Sequence, residues 1–249
     1  MALIDNVENW SKLESQSGGI ISSEIGNDYT LFNSGDVSFL SGKFGNGFYS
    51  PTAGASAGYG VASVNDTLKD YGAIECWWKP DYNLVSGIPS DGATHDTISI
   101  YQGGLHKYGI VIQKTSGIGL FVYNVSVYTA YASTGNVTAG TNNHLLLVWD
   151  RNSTYLNGSV TGRIYLNAIK IVETTLTAGA DANTGWNSNI NLTTVNNADA
   201  VIDNIKVYHT ISESIITDIL NNRNNEGFPV SVKRALANKY NFDRGLTCH

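Results

Sequence analysis

Apolar and polar residues alternate in short bursts along most of this chain, and each burst ends in a cluster of Gly, Asn, Asp, Ser or Thr. A period of two over so few residues marks half-buried strands, because successive side chains leave a strand on opposite faces. The clearest bursts are Ala73 to Lys79, Thr97 to Tyr101, Tyr108 to Gln113, Gly119 to Tyr128, His144 to Trp149, Gly162 to Leu166, Lys170 to Thr174, Ile190 to Thr194 and Ala200 to Tyr208. Strands at this spacing, with turn residues between them, predict an all-β chain folded as a two-sheet antiparallel β-sandwich, or jelly roll. One short helix near the C-terminus is expected over Ile211 to Asn222, where Ile215, Ile216, Ile219 and Leu220 share a face, Ser212 or Thr210 caps the first turn, and Glu213 meets the positive end of the dipole. Only 14% of the residues are charged and 26 are Gly, a composition suited to many turns rather than to long helices.

The 249 residues carry no repeat of fixed period and no Pro-rich or acidic linker, so residues 1–227 are read as one domain around a single core. The tail, residues 228–249, holds Lys233, Arg234, Lys239 and Arg244 and differs in style from the strands before it. It is expected either to dock on its own domain or to make an assembly contact, with other proteins of a particle or with further copies of the chain. A formal net charge of -6 argues against nucleic acid and anionic membranes as partners. The opening MALIDNVENWSKLES has no basic region, apolar run or cleavage site of a signal peptide, so synthesis in the cytoplasm is expected. Cys76 sits in a strand-like run and Cys248 at the end of the tail, and nothing in their spacing supports a disulfide.

Four ordered motifs carry a resemblance. SGKFGNGFYSP at Ser41 to Pro51 is a glycine-punctuated strand, YGAIECWWKPD at Tyr71 to Asp81 is an aromatic-rich strand, and HLLLVWD at His144 to Asp150 with GRIYLNAIKIV at Gly162 to Val172 forms a hairpin. AVIDNIKVYHTISESIITDIL at Ala200 to Leu220 is a closing strand and helix. Together they resemble the laminin-G-like and concanavalin-like jelly-roll domains, and KLESQSGGIISSEIGNDYTLF resembles the opening strand and loop of the same family. At the hairpin turn Asn167 is followed by Ala168 where the family carries Gly, so a longer or bulged turn is expected. The fold hosts lectins, hydrolases, lyases and spacers alike, so the resemblance speaks to architecture more than to activity.

Glycosidases of this fold set paired carboxylates along one strand. No such run is present: Glu75 stands alone in its strand and is expected to be salt-bridged or capped. The five histidines show no spacing of a transition-metal site, and no Gly-rich loop opens a helix. Aromatic residues near loops are the better candidates, since sugars stack their apolar faces on Trp and Tyr. Trp186 lies in a polar loop, Tyr82, Tyr128 and Tyr131 lie near strand ends, and His95 and Asp96 close the long segment from Leu84, so these six are expected to line a glycan-binding rim. Trp77, Trp78 and Trp149 are expected in the core. By strand parity Asp203 points with Val201, Ile205 and Val207 toward the apolar side. The resemblance implies a structural calcium ion there, held by Asp203, Glu24, the Asn27 carbonyl and Asp28; the alternative is that Asp203 accepts backbone N–H bonds from a turn.

These residues predict a non-catalytic carbohydrate-binding or adhesion module, with a glycan or cell-surface polysaccharide as partner, acting outside the cell as an accessory protein of a virus or phage particle. A polysaccharide-active enzyme with an atypical site, and a structural spacer, are the alternatives.

Overall fold

The structure, a computed structural model, describes residues 3–33, 37–50, 59–64, 68, 70–102, 105–122, 130–132, 136–150, 152–156, 162–175, 189–191 and 198–227. Two antiparallel sheets pack face to face. The first runs in hydrogen-bonded order Ile169–Thr174, Gly162–Leu166, Asn143–Asp150, Tyr71–Pro80, Ala200–Tyr208, Asn46–Tyr49 and Ser38–Ser41, and Val7–Ser11 also pairs with Ala200–Tyr208. The second runs Ala130–Ala132, Gly117–Val122, Leu105–Gln113, His95–Gln102, Asn189–Asn191, Tyr59–Ser63, Tyr29–Phe32 and Ile20–Ile21. The all-β sandwich anticipated from the alternation is therefore present. The helix Glu213–Asn222 starts at the expected cap, with Ser212 Oγ accepting from Ile215 N at 3.2 Å.

Between the sheets lie Tyr29, Phe48, Ile74, Trp78, Ile98, Ile100, Leu145 and Trp149, all buried. The Trp149 ring stacks on Tyr108 at 5.0 Å between centroids, and its indole N–H donates to the Leu68 carbonyl at 2.7 Å. Trp149 thus spans the two layers with its polar atom satisfied. The outer face of the first sheet is also covered: the opening turn Leu3–Asn6, the strand Val7–Ser11 and the helix close over Ala73, Leu146, Val148 and Tyr208. Trp77 is buried on this outer side, with its indole N–H donating to the Arg223 carbonyl at 3.1 Å.

Parity fails in the strand Ala200–Tyr208. Asn204 takes a φ of 51°, and the register against Tyr71–Pro80 shifts between Asp203 and Lys206. The extra residue of this bulge flips the faces. Ala200 and Ile202 point to the core before it, Ile205 and Val207 after it, and Asp203 lies opposite Trp77 on the outer side. The inference that Asp203 shares a face with Ile205 and Val207 is corrected by this one backbone conformation.

The Asn167–Ala168 turn corrects a second expectation. It is a tight two-residue turn with φ of 52° and 70°, directly joining the paired residues Leu166 and Ile169. The bulge falls within the hairpin instead, where Tyr165 pairs with Lys170 and Ile164 with Val172. Asn167 is held in place because its side-chain oxygen accepts from His144 N and its amide nitrogen donates to Asn143 Oδ1, each at 2.9 Å. Ala168 has a left-handed backbone with no glycine to relieve it. Ala168→Gly is therefore expected to stabilise the protein by about 1 kcal/mol. Urea unfolding of the two proteins measures this, and an unchanged midpoint would mean that the turn carries no strain.

Candidate functional site: a polar cleft beside His95

The strand Tyr71–Pro80 of one sheet stops where the strand His95–Gln102 of the other begins, and the segment between them is braced rather than loose. Leu84–Val85 pairs with Ile88–Pro89 in a small hairpin, and Leu84 is buried and bridged to Val137. Asn83 N donates to Ser90 Oγ, Ser90 N donates to the Asn83 carbonyl, and Asn83 Oδ1 accepts from Ala139 N. Asp81 N donates to the Asp199 carbonyl at 2.8 Å, which ties this segment to the start of Ala200–Tyr208. Side chains from three distant parts of the chain meet as a result.

They form a cleft of about 270 Å³ lined by Asp81, Tyr82, Asn83, Ser90, Asp91 and Asp199. Wholly buried His95 brings its Nε2 within 3.1 Å of Asp91 Oδ2. Asp91 Oδ1 also accepts from Ala93 N at 3.0 Å. The His95 ring stacks on Tyr82, with 3.8 Å between centroids and 12° between planes, so its orientation is fixed. Burial, with Asp91 and Asp81 nearby, raises the Asp199 carboxyl above its ordinary value against the pull of His95. Asp81 Oδ2 accepts from the Tyr49 hydroxyl, whose own proton burial and that bond hold up to about 12. Among the described residues, Asp91, His95 and Asp199 form a group whose ligand atoms all lie within 4.8 Å of one another, a spacing compatible with a metal ion.

Two of the six residues expected at a glycan-binding rim, Tyr82 and His95, meet here, but not as an exposed platform. Each covers the other's face, and both are buried. Asp96 and Tyr131 lie on the strands His95–Gln102 and Ala130–Ala132, and their side chains are outside what the structure describes. Trp186, Tyr128 and the tail 228–249 lie outside the described residues. Asp81, Asp91 and Asp199 were not singled out from sequence. Asp91 stands four residues before His95, a spacing that was visible, but Asp199 reaches the cleft only through sheet pairing.

The three carboxylates among the calcium ligands implied by the family resemblance, Asp203, Glu24 and Asp28, do not come together as one group among the described residues. Asp203 Oδ2 accepts from the backbone N–H groups of Lys43 and Phe44 at 2.7 and 2.8 Å, which is the turn-capping alternative. Burial pushes its carboxyl up to about 6 in spite of these bonds. Glu24 pairs with Lys12 at 3.5 Å, Asp28 Oδ1 accepts from Ser23 N, and the Asn27 carbonyl accepts from Asn9 and Ser23. Donors thus meet one oxygen of each carboxylate, while Asp203 Oδ1 is buried without a hydrogen-bond partner among the described residues.

A second polar cluster lies under the helix-side cover. Glu75 is buried opposite Lys206, its cross-strand partner, with Lys206 Nζ 3.2 Å from Oε1. The Tyr208 hydroxyl donates to Oε1 at 2.7 Å and His144 Nε2 to Oε2 at 2.6 Å. Burial alone would raise the carboxyl, but the Lys206 ammonium and the two hydrogen bonds prevail and bring it down to about 2. The expectation of a salt-bridged Glu75 is met by three partners from the two neighbouring strands, His144 on one side and Lys206 and Tyr208 on the other. No helix among the described residues is long and apolar enough to cross a membrane.

No family model matches the chain, and no curated protein matches it. Solved structures do. A Trypanosoma rangeli sialidase in complex with sialic acid superposes with a TM-score of 0.63 at 13% identity, over 90% of this chain and 34% of the sialidase. A structure of botulinum neurotoxin type C, concerned with its interaction with two ganglioside molecules, gives 0.63 at 13% identity, over 91% of this chain and 52% of that one. Domain 4 of AbnA, a GH43 extracellular arabinanase from Geobacillus stearothermophilus in complex with arabinotriose, gives 0.54 at 15% identity, over 86% of this chain and 98% of that domain. This chain therefore spans about a third of the length of the sialidase. At such identities the likeness establishes the fold, an all-β sandwich shared with these proteins. Of the laminin-G and concanavalin resemblance, only the sandwich is shown.

The comparisons overturn the expectation that the chain is not an enzyme, since sialidases and an arabinanase domain stand among its structural relatives. That expectation rested on a narrow pattern. Paired carboxylates were sought along one strand, whereas Asp91 and Asp199 come together from opposite halves of the chain.

Proposed function

We propose that the chain is a carbohydrate-recognition domain of the kind built into glycan-acting proteins, and that its ligand occupies the cleft between Asp81, Asn83, Ser90, Asp91 and Asp199. The observation that carries this reading is the lining itself: carboxylates, an amide and a hydroxyl converge in a space of about 270 Å³, a donor and acceptor set suited to sugar hydroxyls. The sandwich supports it, because structural relatives include proteins described in complex with sialic acid and arabinotriose or in interaction with gangliosides. Attachment of a virus or phage particle to a surface polysaccharide is the setting kept from the sequence reading.

A hydrolytic reading is favoured by the Asp91 and Asp199 pair. Glycoside hydrolysis needs one carboxyl that holds its proton and one that stays ionised. Burial raises Asp199, while His95 stands beside Asp91 at ion-pair distance. In this reading Asp199 protonates the departing glycosidic oxygen and Asp91 acts as the nucleophile, since oxygens within 4.8 Å leave no room for the water of an inverting mechanism.

One experiment addresses both. The protein is titrated with sialyllactose, arabinotriose and a ganglioside panel, with binding read by calorimetry and hydrolysis by release of reducing ends. Recognition at the cleft predicts that Asp81→Ala with Asn83→Ala weakens binding at least about tenfold, through loss of hydrogen bonds worth about 0.5–1.5 kcal/mol each. Hydrolysis predicts that Asp199→Asn abolishes turnover while binding persists. Binding unaltered by the double substitution would place the ligand elsewhere.

A further inference from the structure

The inner wall of the cleft joins a fixed imidazole to two carboxylates, and among the described residues that line it the negative charges outnumber the positive. Asp81, Asp91 and Asp199 all line the cleft, and His95 is the basic group beside Asp91. An ion pair between His95 and Asp91 would explain their contact. It would not explain Asp199, whose half-buried carboxylate receives no hydrogen bond from any described residue and lies within 4.8 Å of both. Carboxylates brought together in this way repel unless a proton or a cation sits between them.

From this arrangement we infer that Asp91, His95 and Asp199 form a binding site for one first-row divalent cation, Zn²⁺ or Mn²⁺, open toward the cleft. Ligands bound at about 2.0–2.2 Å from one ion stand roughly 3 Å apart when adjacent and up to about 4.4 Å when opposed. The His95 Nε2 distances to the two Asp91 oxygens, 3.1 and 3.3 Å, match adjacent ligands. Asp199 brings a carboxylate oxygen within 4.8 Å of the other two ligand atoms. An imidazole in place of an all-oxygen shell selects against Ca²⁺ and Mg²⁺. The Tyr82 stack fixes the ring plane, as outer partners of metal-bound histidines commonly do. Three protein ligands leave a coordination position facing Asn83 and Ser90 for water or a ligand hydroxyl.

The inference goes beyond the glycan-binding reading of the same cleft and replaces the hydrolytic one, because carboxylates that ligate a cation do not serve as acid and nucleophile; its test contains no sugar, so the two can fail separately. The full chain is stripped with a chelator and titrated with ZnCl₂ and then MnCl₂ by calorimetry, and thermal unfolding is followed with and without each metal. The expected result is one equivalent of Zn²⁺ bound, a higher melting temperature with metal, and at least about a tenfold loss of affinity in Asp199→Asn. That variant removes one charge and no side-chain hydrogen bond to a described residue. As a measurement that needs no variant, substoichiometric Mn²⁺ should broaden the proton resonances of the Tyr82 and His95 rings before others. Absence of binding, equal binding by Asp199→Asn, or broadening centred on other residues would each overturn the assignment.

Discussion

Glu75→Ala is expected to lower the unfolding free energy by about 3–5 kcal/mol, because it strands a buried ammonium without its carboxylate. The Lys206 side chain is buried in the outer layer of the first sheet, and its charge is matched there by Glu75 at 3.2 Å. The Tyr208 and His144 hydrogen bonds lose their acceptor in the same step. Glu75→Gln separates charge from shape, since it keeps an acceptor oxygen while still removing the negative charge. The pH dependence carries the second half of the prediction. A carboxyl brought from 4.5 to about 2 by folding contributes stability that is complete above pH 4.5 and is lost as pH falls toward 2. The loss amounts to something on the order of 3 kcal/mol. Asp203 acts with the opposite sign in a higher window. Its carboxyl is raised to about 6, so its contribution is most favourable below its ordinary value of 3.8 and is lost as pH rises through 6. Urea unfolding of the natural protein and Glu75→Gln from pH 7 to pH 2 distinguishes the two groups. Parallel curves below pH 4.5 would mean that Glu75 is not held ionised by its partners.

Trp149→Ala should cost a comparable amount, about 3–5 kcal/mol, for a different reason. The indole is fully buried between the sheets, stacked on Tyr108 from the opposing layer. Truncation opens a cavity that rigid strands on both sides cannot close, and it leaves the Leu68 carbonyl without its donor. Trp149→Phe retains most of the apolar volume and the stack but not the hydrogen bond, so its smaller loss measures that bond together with the residual void. Denaturant midpoints for the three proteins at pH 7 give both quantities. An alanine variant as stable as the phenylalanine variant would show that the inter-sheet stack contributes little.

Local alternation was enough to locate the central strands, the helix with its Ser212 cap and the burial of Trp78 and Trp149. Each of these depends on neighbours in sequence: a period of two sets which side chains share a face, and a capping hydroxyl acts within one turn. The same rule misplaced Asp203, since it assumes an unbroken strand. A single positive φ at Asn204 reverses the faces beyond it, and Asn is a residue that tolerates this conformation without announcing it. Ala168 shows the converse. Its side chain argues against a left-handed turn, yet the paired strands on either side impose one.

The site was legible only in fragments. Tyr82 was singled out as an aromatic near a strand end and His95 for its place in a long segment, and folding does bring them together. What sequence alone determined, then, is the class of fold, the core faces of its regular strands and the kinds of side chain available near its loops. What only the tertiary structure decided is which of them meet. Glu75 acquires His144, Lys206 and Tyr208 through strand pairing and register. Asp91 acquires Asp199 because the end of Tyr71–Pro80, the start of His95–Gln102 and the start of Ala200–Tyr208 converge in space. The physical reason is one of range: alternation and capping are set by bonds between near neighbours, whereas a charge pair or cleft is set by register between segments that the sequence keeps far apart.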